Sequence, residues 1–159
     1  MDKAIQYEQK GFGRTYLCLD NKAQRQNKLS IVAYFTISYT AIRMRAIPNS
    51  RKKKVVGSLP GRDNLEFAPS FLIGQLGRSD NYSNEYISGE SLLCECYHML
   101  SVAYNVIGGQ VVILECREHM FEKFYQKCGF KKLYDDLSEN GLYTLYKKIN
   151  FDEYLNYTS

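Results

Sequence analysis

Phe71-Leu72-Ile73-Gly74-Gln75-Leu76-Gly77 and, after a polar loop over residues 78–87, Ser88-Gly89-Glu90-Ser91-Leu92-Leu93 decide the fold of this chain. The first run reads as a short buried strand ending in glycine. The second opens a long helix. Ser88 suits its N-cap and Glu90 its first turn, and Gly108-Gly109 makes the stop. Leu92, Leu93, Cys96, Tyr97, Leu100, Ala103, Tyr104 and Ile107 recur on one face at a helical period. A helix start leaves backbone N–H groups unpaired and carries partial positive charge, so a phosphate can bind there without a basic side chain. Gly77 and Gly89 have no Cβ to keep such a ligand away. The same succession is also an ordinary strand, loop and helix with no ligand, and residues downstream decide between the two.

Downstream, Gln110-Val111-Val112-Ile113-Leu114-Glu115-Cys116 reads as a second strand. Residues 118–127 read as a short helix closing with Phe124-Tyr125-Gln126-Lys127-Cys128-Gly129-Phe130. In the order of its elements and in this aromatic-Gly-Phe motif, the chain resembles the GNAT superfamily of N-acetyltransferases over residues 7–149. Leu72-Ile73-Gly74-Gln75-Leu76-Gly77, Ser88-Gly89-Glu90-Ser91-Leu92-Leu93, Ile107-Gly108-Gly109 and Leu114-Glu115-Cys116 resemble more closely one Gram-positive bacterial branch of it. The resemblance implies a single α/β domain over residues 1–159, a mixed and mostly antiparallel sheet flanked by helices.

Residues 14–20 and 29–44 alternate, are rich in strand formers and read as an antiparallel hairpin across a polar turn. Only residues 1–13 precede it, with Ala4, Ile5 and Tyr7 as the marks of a helix tail. The family's first strand and first helix are therefore expected to be missing or shortened, leaving one side of the acceptor cleft open. Residues 45–69 hold all three prolines and the run Arg51-Lys52-Lys53-Lys54. They read as a long, partly mobile basic loop, either solvated or a landing strip for an acidic partner such as RNA. Residues 131–134 and 141–149 alternate as two closing strands, and residues 151–159 read as a polar and aromatic tail.

At 159 residues with 45% hydrophobic and 24% charged content and a net charge of +4, the composition is that of an ordinary soluble domain. No apolar run reaches the roughly 18–20 residues of a membrane span, and the N-terminus lacks the apolar segment of a signal peptide. A cytoplasmic protein with no membrane partner is expected. Cys18, Cys94, Cys96, Cys116 and Cys128 are scattered and read as small apolar residues. With Cys94 and Cys96 on one helix, and only His98 and His119 besides, no metal is expected.

The chemistry that the resemblance implies is direct transfer of an acetyl group from acetyl-CoA to a primary amine in a ternary complex. The pyrophosphate would lie on the turn into the helix, at Asn84, Ser88, Gly89, Glu90 and Ser91. Against the family's Gln/Arg-x-x-Gly-x-Gly/Ala loop, Asn84 takes the first position and Ile87 stands where a glycine would be. A main-chain N–H near Leu76, Gly77 or Arg78 would polarise the thioester where the strand splays from its neighbour. Tyr125 would be the acid for the leaving thiolate; it also reads as an aromatic packed behind the helix. Glu115 or Glu66 would act as base through water, or both are surface carboxylates. Glu118 stands where many members carry an Asn that contacts coenzyme A.

The acceptor stays open among a small amine, a protein N-terminus or lysine, and the aminoacyl-tRNA used by toxin members. Two alternatives stand beside this reading: a catalytically weak or inactive module that binds coenzyme A or a protein partner, and a nucleic-acid-binding module. An open sheet edge would favour a homodimer.

Overall fold

The structure, a computed structural model, describes residues 2–155, with side chains from residue 5 onward. Met1 of the expected helix and residues 156–159 of the expected tail lie outside the described residues. In chain order the elements are α1 (Asp2–Gln9), β1 (Arg14–Leu19), α2 (Asn21–Gln24), β2 (Ile31–Arg43), α3 (Asn49–Val56), β3 (Phe67–Arg78) and α4 (Gly89–Ile107). There follow β4 (Val111–Cys116), α5 (Glu118–Met120, continuing as a π-helical turn over Phe121–Tyr125), β5 (Lys131–Lys132), β6 (Tyr143–Lys148) and α6 (Asp152–Leu155). One six-stranded sheet runs in the order β1-β2-β3-β4-β6-β5. β3 and β4 are parallel; every other neighbouring pair is antiparallel.

Alternation along the strands divides the core between the two faces of the sheet. Phe35, Ile73, Leu114 and Leu145 face α4, which buries Leu92, Leu93, Cys96, Tyr97 and Leu100 against them. Each such side chain removed from water contributes roughly 1.5–3 kcal/mol before chain entropy is counted. On the other face Ile42, Ala68, Val111 and Tyr146 form a smaller core with Val55 of α3. α4 starts as its sequence predicts: Ser88 is extended, and its Oγ accepts a hydrogen bond from the Ser91 N–H at 3.0 Å.

Three sequence expectations change. The stretch expected to be a long loop over residues 45–69 contains α3, and β3 begins at Phe67. α3 escapes a periodicity search because Val55 is its only buried residue. Its docking is polar as well, since the Arg51 guanidinium donates to the Leu133 carbonyl at 3.1 Å and pairs with Asp135. The expected tail begins with a core residue: Phe151 is fully buried, edge-to-face with Phe71 at 5.6 Å, and α6 follows it. The expected strand over residues 131–134 shortens to Lys131 and Lys132, with one more bond from the Leu133 N–H to the Thr144 carbonyl at 2.8 Å. No helix among the described residues is long and apolar enough to cross a membrane.

Candidate active site

β3 and β4 pair at only three positions, Phe71 with Val112, Leu72 with Ile113 and Ile73 with Leu114. β3 then runs on to Arg78 with β2 as its partner. The departure starts at Gly74, the extra residue in the ladder: Ile73 pairs with Ile37 and Gln75 with Thr36, so Gly74 has no opposite number. Such a bulge bends the strand that carries it. β3 therefore leaves β4, and every second N–H beyond Ile73 faces the space between them. That space is a cavity of about 240 Å³ whose walls include Tyr34, Gly74, Leu76, Glu115 and Tyr125.

Tyr125 reaches the gap from the π-helical turn, where the Gln126 N–H bonds the Phe121 carbonyl five residues back. The wider turn is a feature the sequence did not announce. The Tyr125 ring is 8% exposed and is held edge-on by Phe124 at 4.9 Å and Phe130 at 5.7 Å. Burial pushes its hydroxyl up to about 12, with Cys116, Cys96 and Cys128 adding to the effect. Full proton transfer from such a phenol to the anion of a thiol of roughly 8.5 runs uphill. The geometry suits a hydrogen bond to charge developing on sulfur better than outright protonation.

Beside the gap lies a cleft of about 540 Å³ at the start of α4, lined by Leu76, Gly77, Arg78, Asn84, Ser88, Gly89 and Glu90 and closed by Met120, Lys123, Phe124 and Tyr125. The structure brings most of the expected cofactor residues together here and adds detail to what each can offer. The Ser91 N–H is taken by Ser88 Oγ, and the Leu92 N–H by the Ser88 carbonyl. Gly89 and Glu90 are left as the N–H donors of the first turn. The room that Gly89 provides is filled by Phe124, since a Cβ there would come within 2.7 Å of its ring. At Gly77 the Tyr34 ring does the same at 3.0 Å. Arg78 spends its guanidinium on the loop, donating to Asn84 Oδ1 at 2.9 Å and the Ile87 carbonyl at 3.0 Å. Lys123 brings a cation to the cleft that the sequence reading missed, and Glu90 brings an opposing carboxylate.

Of the carboxylates considered as base, Glu115 lies at the gap and Glu66 does not. Leu114 and Cys116 face α4, so Glu115 projects from the opposite face, exposed, with Thr144 Oγ1 3.5 Å away. Glu66 precedes Phe67, so seven residues, roughly 23 Å of strand at about 3.3 Å each, separate it from Ile73. Glu118 accepts a hydrogen bond from the Tyr143 hydroxyl at 2.9 Å and faces neither cavity. No group of three or more His, Cys, Asp or Glu among the described residues is arranged to hold a metal ion.

A mixed six-stranded sheet with one parallel pair that parts beside a helix N-terminus defines the GNAT-like acetyltransferase fold, and this chain has it. No protein-family model and no curated protein sequence matches the chain, so the finer resemblance to a Gram-positive branch rests on its quoted segments alone. Solved structures do match. AtaT complexed with acetyl-methionyl-tRNAfMet aligns with a TM-score of 0.69 at 19% identity, over 96% of this chain and 81% of that one. A structure described as a bacterial toxin aligns at 0.72 and 15% identity, over 97% and 78%. AtaTR bound with AcCoA aligns at 0.67 and 18%, over 92% and 76%.

Proposed function

We propose that this protein is an acetyl-CoA-dependent N-acetyltransferase whose acceptor is the α-amino group of an aminoacyl-tRNA. The observation that carries the reading is the gap beyond Ile73 and Leu114, flanked by Tyr125 on the α4 side and Glu115 on the other. Acetyl-CoA supplies an acyl thioester. The free N–H groups of Gly89 and Glu90, with Lys123 nearby, suit its pyrophosphate, and the cleft leads through the shared walls Leu76 and Tyr125 to the gap.

β3 N–H groups facing the gap would polarise the thioester carbonyl. As the C–N bond forms and the C–S bond breaks, Glu115 takes the amine proton through water. Tyr125 donates a hydrogen bond to the departing sulfur, which is finally protonated from solvent. Two observations favour a polyanionic acceptor. Solved neighbours include AtaT with a charged tRNA. Lys52, Lys53 and Lys54 belong to α3, which packs on the sheet face that carries Glu115. From Ala68, beneath α3, to Ile73 is five residues, roughly 17 Å of strand, within reach of a nucleic acid whose amine enters the gap.

A non-catalytic module that binds coenzyme A or a protein partner is the second reading, favoured by the capped Ser91 N–H and by Glu90 at the cleft. Calorimetric titration with acetyl-CoA, followed by labelled acetyl transfer to a mixed pool of charged tRNA, separates the two. Binding with transfer supports the enzyme, and binding without transfer supports the module. A third result, no binding, sinks both as coenzyme A readings.

A further inference from the structure

A second groove opens on the sheet face away from α4. Its floor is Thr36, Ser38 and Thr40 of β2 with Leu72 and Gly74 of β3, and it encloses about 440 Å³, within the roughly 300–1,000 Å³ of small-ligand sites. Tyr7 of α1 and Phe12 form one wall, their rings edge-to-face at 5.9 Å. The Phe12 carbonyl is anchored by a hydrogen bond from Ser38 Oγ. Both rings stay largely open to solvent, Tyr7 at 59% and Phe12 at 65% exposure, although both are apolar surfaces. Among the described residues that line the groove there is no Asp, Glu, Lys or Arg.

The groove adjoins the reaction gap, with Gly74 and Gln75 lining both. In an α-amino acyl group the amine and the side chain leave the same carbon, so an amine in the gap puts its side chain at the mouth of this groove. We propose that the groove is the specificity subsite for the acceptor and selects aminoacyl groups with aromatic or long aliphatic side chains. A charged side chain would meet no counter-ion among the described lining residues, and glycine would leave the groove empty.

This inference rests on the aminoacyl-transfer reading above. The test compares kcat/KM for acetyl transfer to tRNA charged with phenylalanine, leucine, glycine or aspartate, in the wild type and in Phe12→Ser, whose ring is largely exposed and whose thermal midpoint is checked first. Phenylalanine and leucine acceptors are expected to exceed glycine and aspartate by roughly 10- to 100-fold. Phe12→Ser should collapse that preference with the KM for acetyl-CoA unchanged. Equal rates on all four, or a preference that Phe12→Ser leaves intact, overturns the subsite while the transfer reading stands. Should no acceptor react, the transfer reading falls, and the groove is judged by binding alone. With a fluorinated tyrosine at position 7, N-acetyl-phenylalaninamide should then shift the fluorine resonance saturably and N-acetyl-glycinamide should not. No shift with either overturns the subsite.

Discussion

The Phe124 ring lies against Gly89 so closely that a Cβ at position 89 would stand 2.7 Å from two of its carbons. The first residue of α4 and the residue before Tyr125 are thereby fitted to each other. Gly89→Ala, at the first residue of α4, should lose roughly 1–3 kcal/mol to overpacking. Urea unfolding should show net destabilisation together with weaker acetyl-CoA binding. The double variant with Phe124→Leu should recover stability; an unchanged midpoint in Gly89→Ala would contradict this account.

Tyr125→Phe keeps the ring between Phe124 and Phe130 and removes only a hydroxyl. Under the proposed mechanism kcat falls by roughly 100-fold while acetyl-CoA affinity and thermal midpoint hold. A fall in affinity with kcat retained would assign Tyr125 to binding instead.

Alkaline pH should destabilise the fold. Burial raises the Cys116 thiol from 9.0 to about 11 and the Tyr125 hydroxyl from 10.0 to about 12. In both, the folded chain holds the proton more tightly than the unfolded chain. Their stability contribution is therefore complete below about pH 9 and is lost as pH rises through 9 to 12. Thermal midpoints should be flat from pH 7 to 8.5 and fall beyond it, less steeply in Cys116→Val.

Phe151 anchors the end of the described chain by packing on Phe71 and Tyr104. Phe151→Ala should cost roughly 3–5 kcal/mol, measured by chemical denaturation. A loss below 1 kcal/mol would mean that residues 151–155 are an appendage after all.

Ser88 holds the Ser91 N–H that a phosphate would otherwise meet. Ser88→Ala should cost roughly 0.5–2 kcal/mol of stability and, by freeing that N–H, leave acetyl-CoA affinity equal or higher. A large loss of affinity would mean that the Ser88 hydroxyl itself contacts the ligand.

By itself, the sequence determined the elements whose signals are local. The apolar stripe from Leu92 to Leu100, the Ser88 cap, the β1–β2 hairpin and the Phe124–Phe130 motif were legible because helix period, strand alternation and capping chemistry act within a few residues. Those signals, with the order of elements, carried the fold class, whereas Tyr125 and Glu115 became candidates only through the resemblance to N-acetyltransferases.

Only the tertiary structure decided what depends on residues far apart in the chain. The bulge at Gly74 exists relative to β2, and the parting of β3 from β4 exists relative to residue 114. At Gly77 and Gly89 the space a Cβ would take is held by Tyr34 and Phe124, while both residues line the cleft, and no local pattern announces those two rings. α3 and Phe151 were hidden because each enters the core through one buried side chain, too little to produce a period. Glu66 and Glu115 are alike as residues. Roughly 23 Å of strand between Glu66 and Ile73 separates the carboxylate that lines the gap from the one that does not.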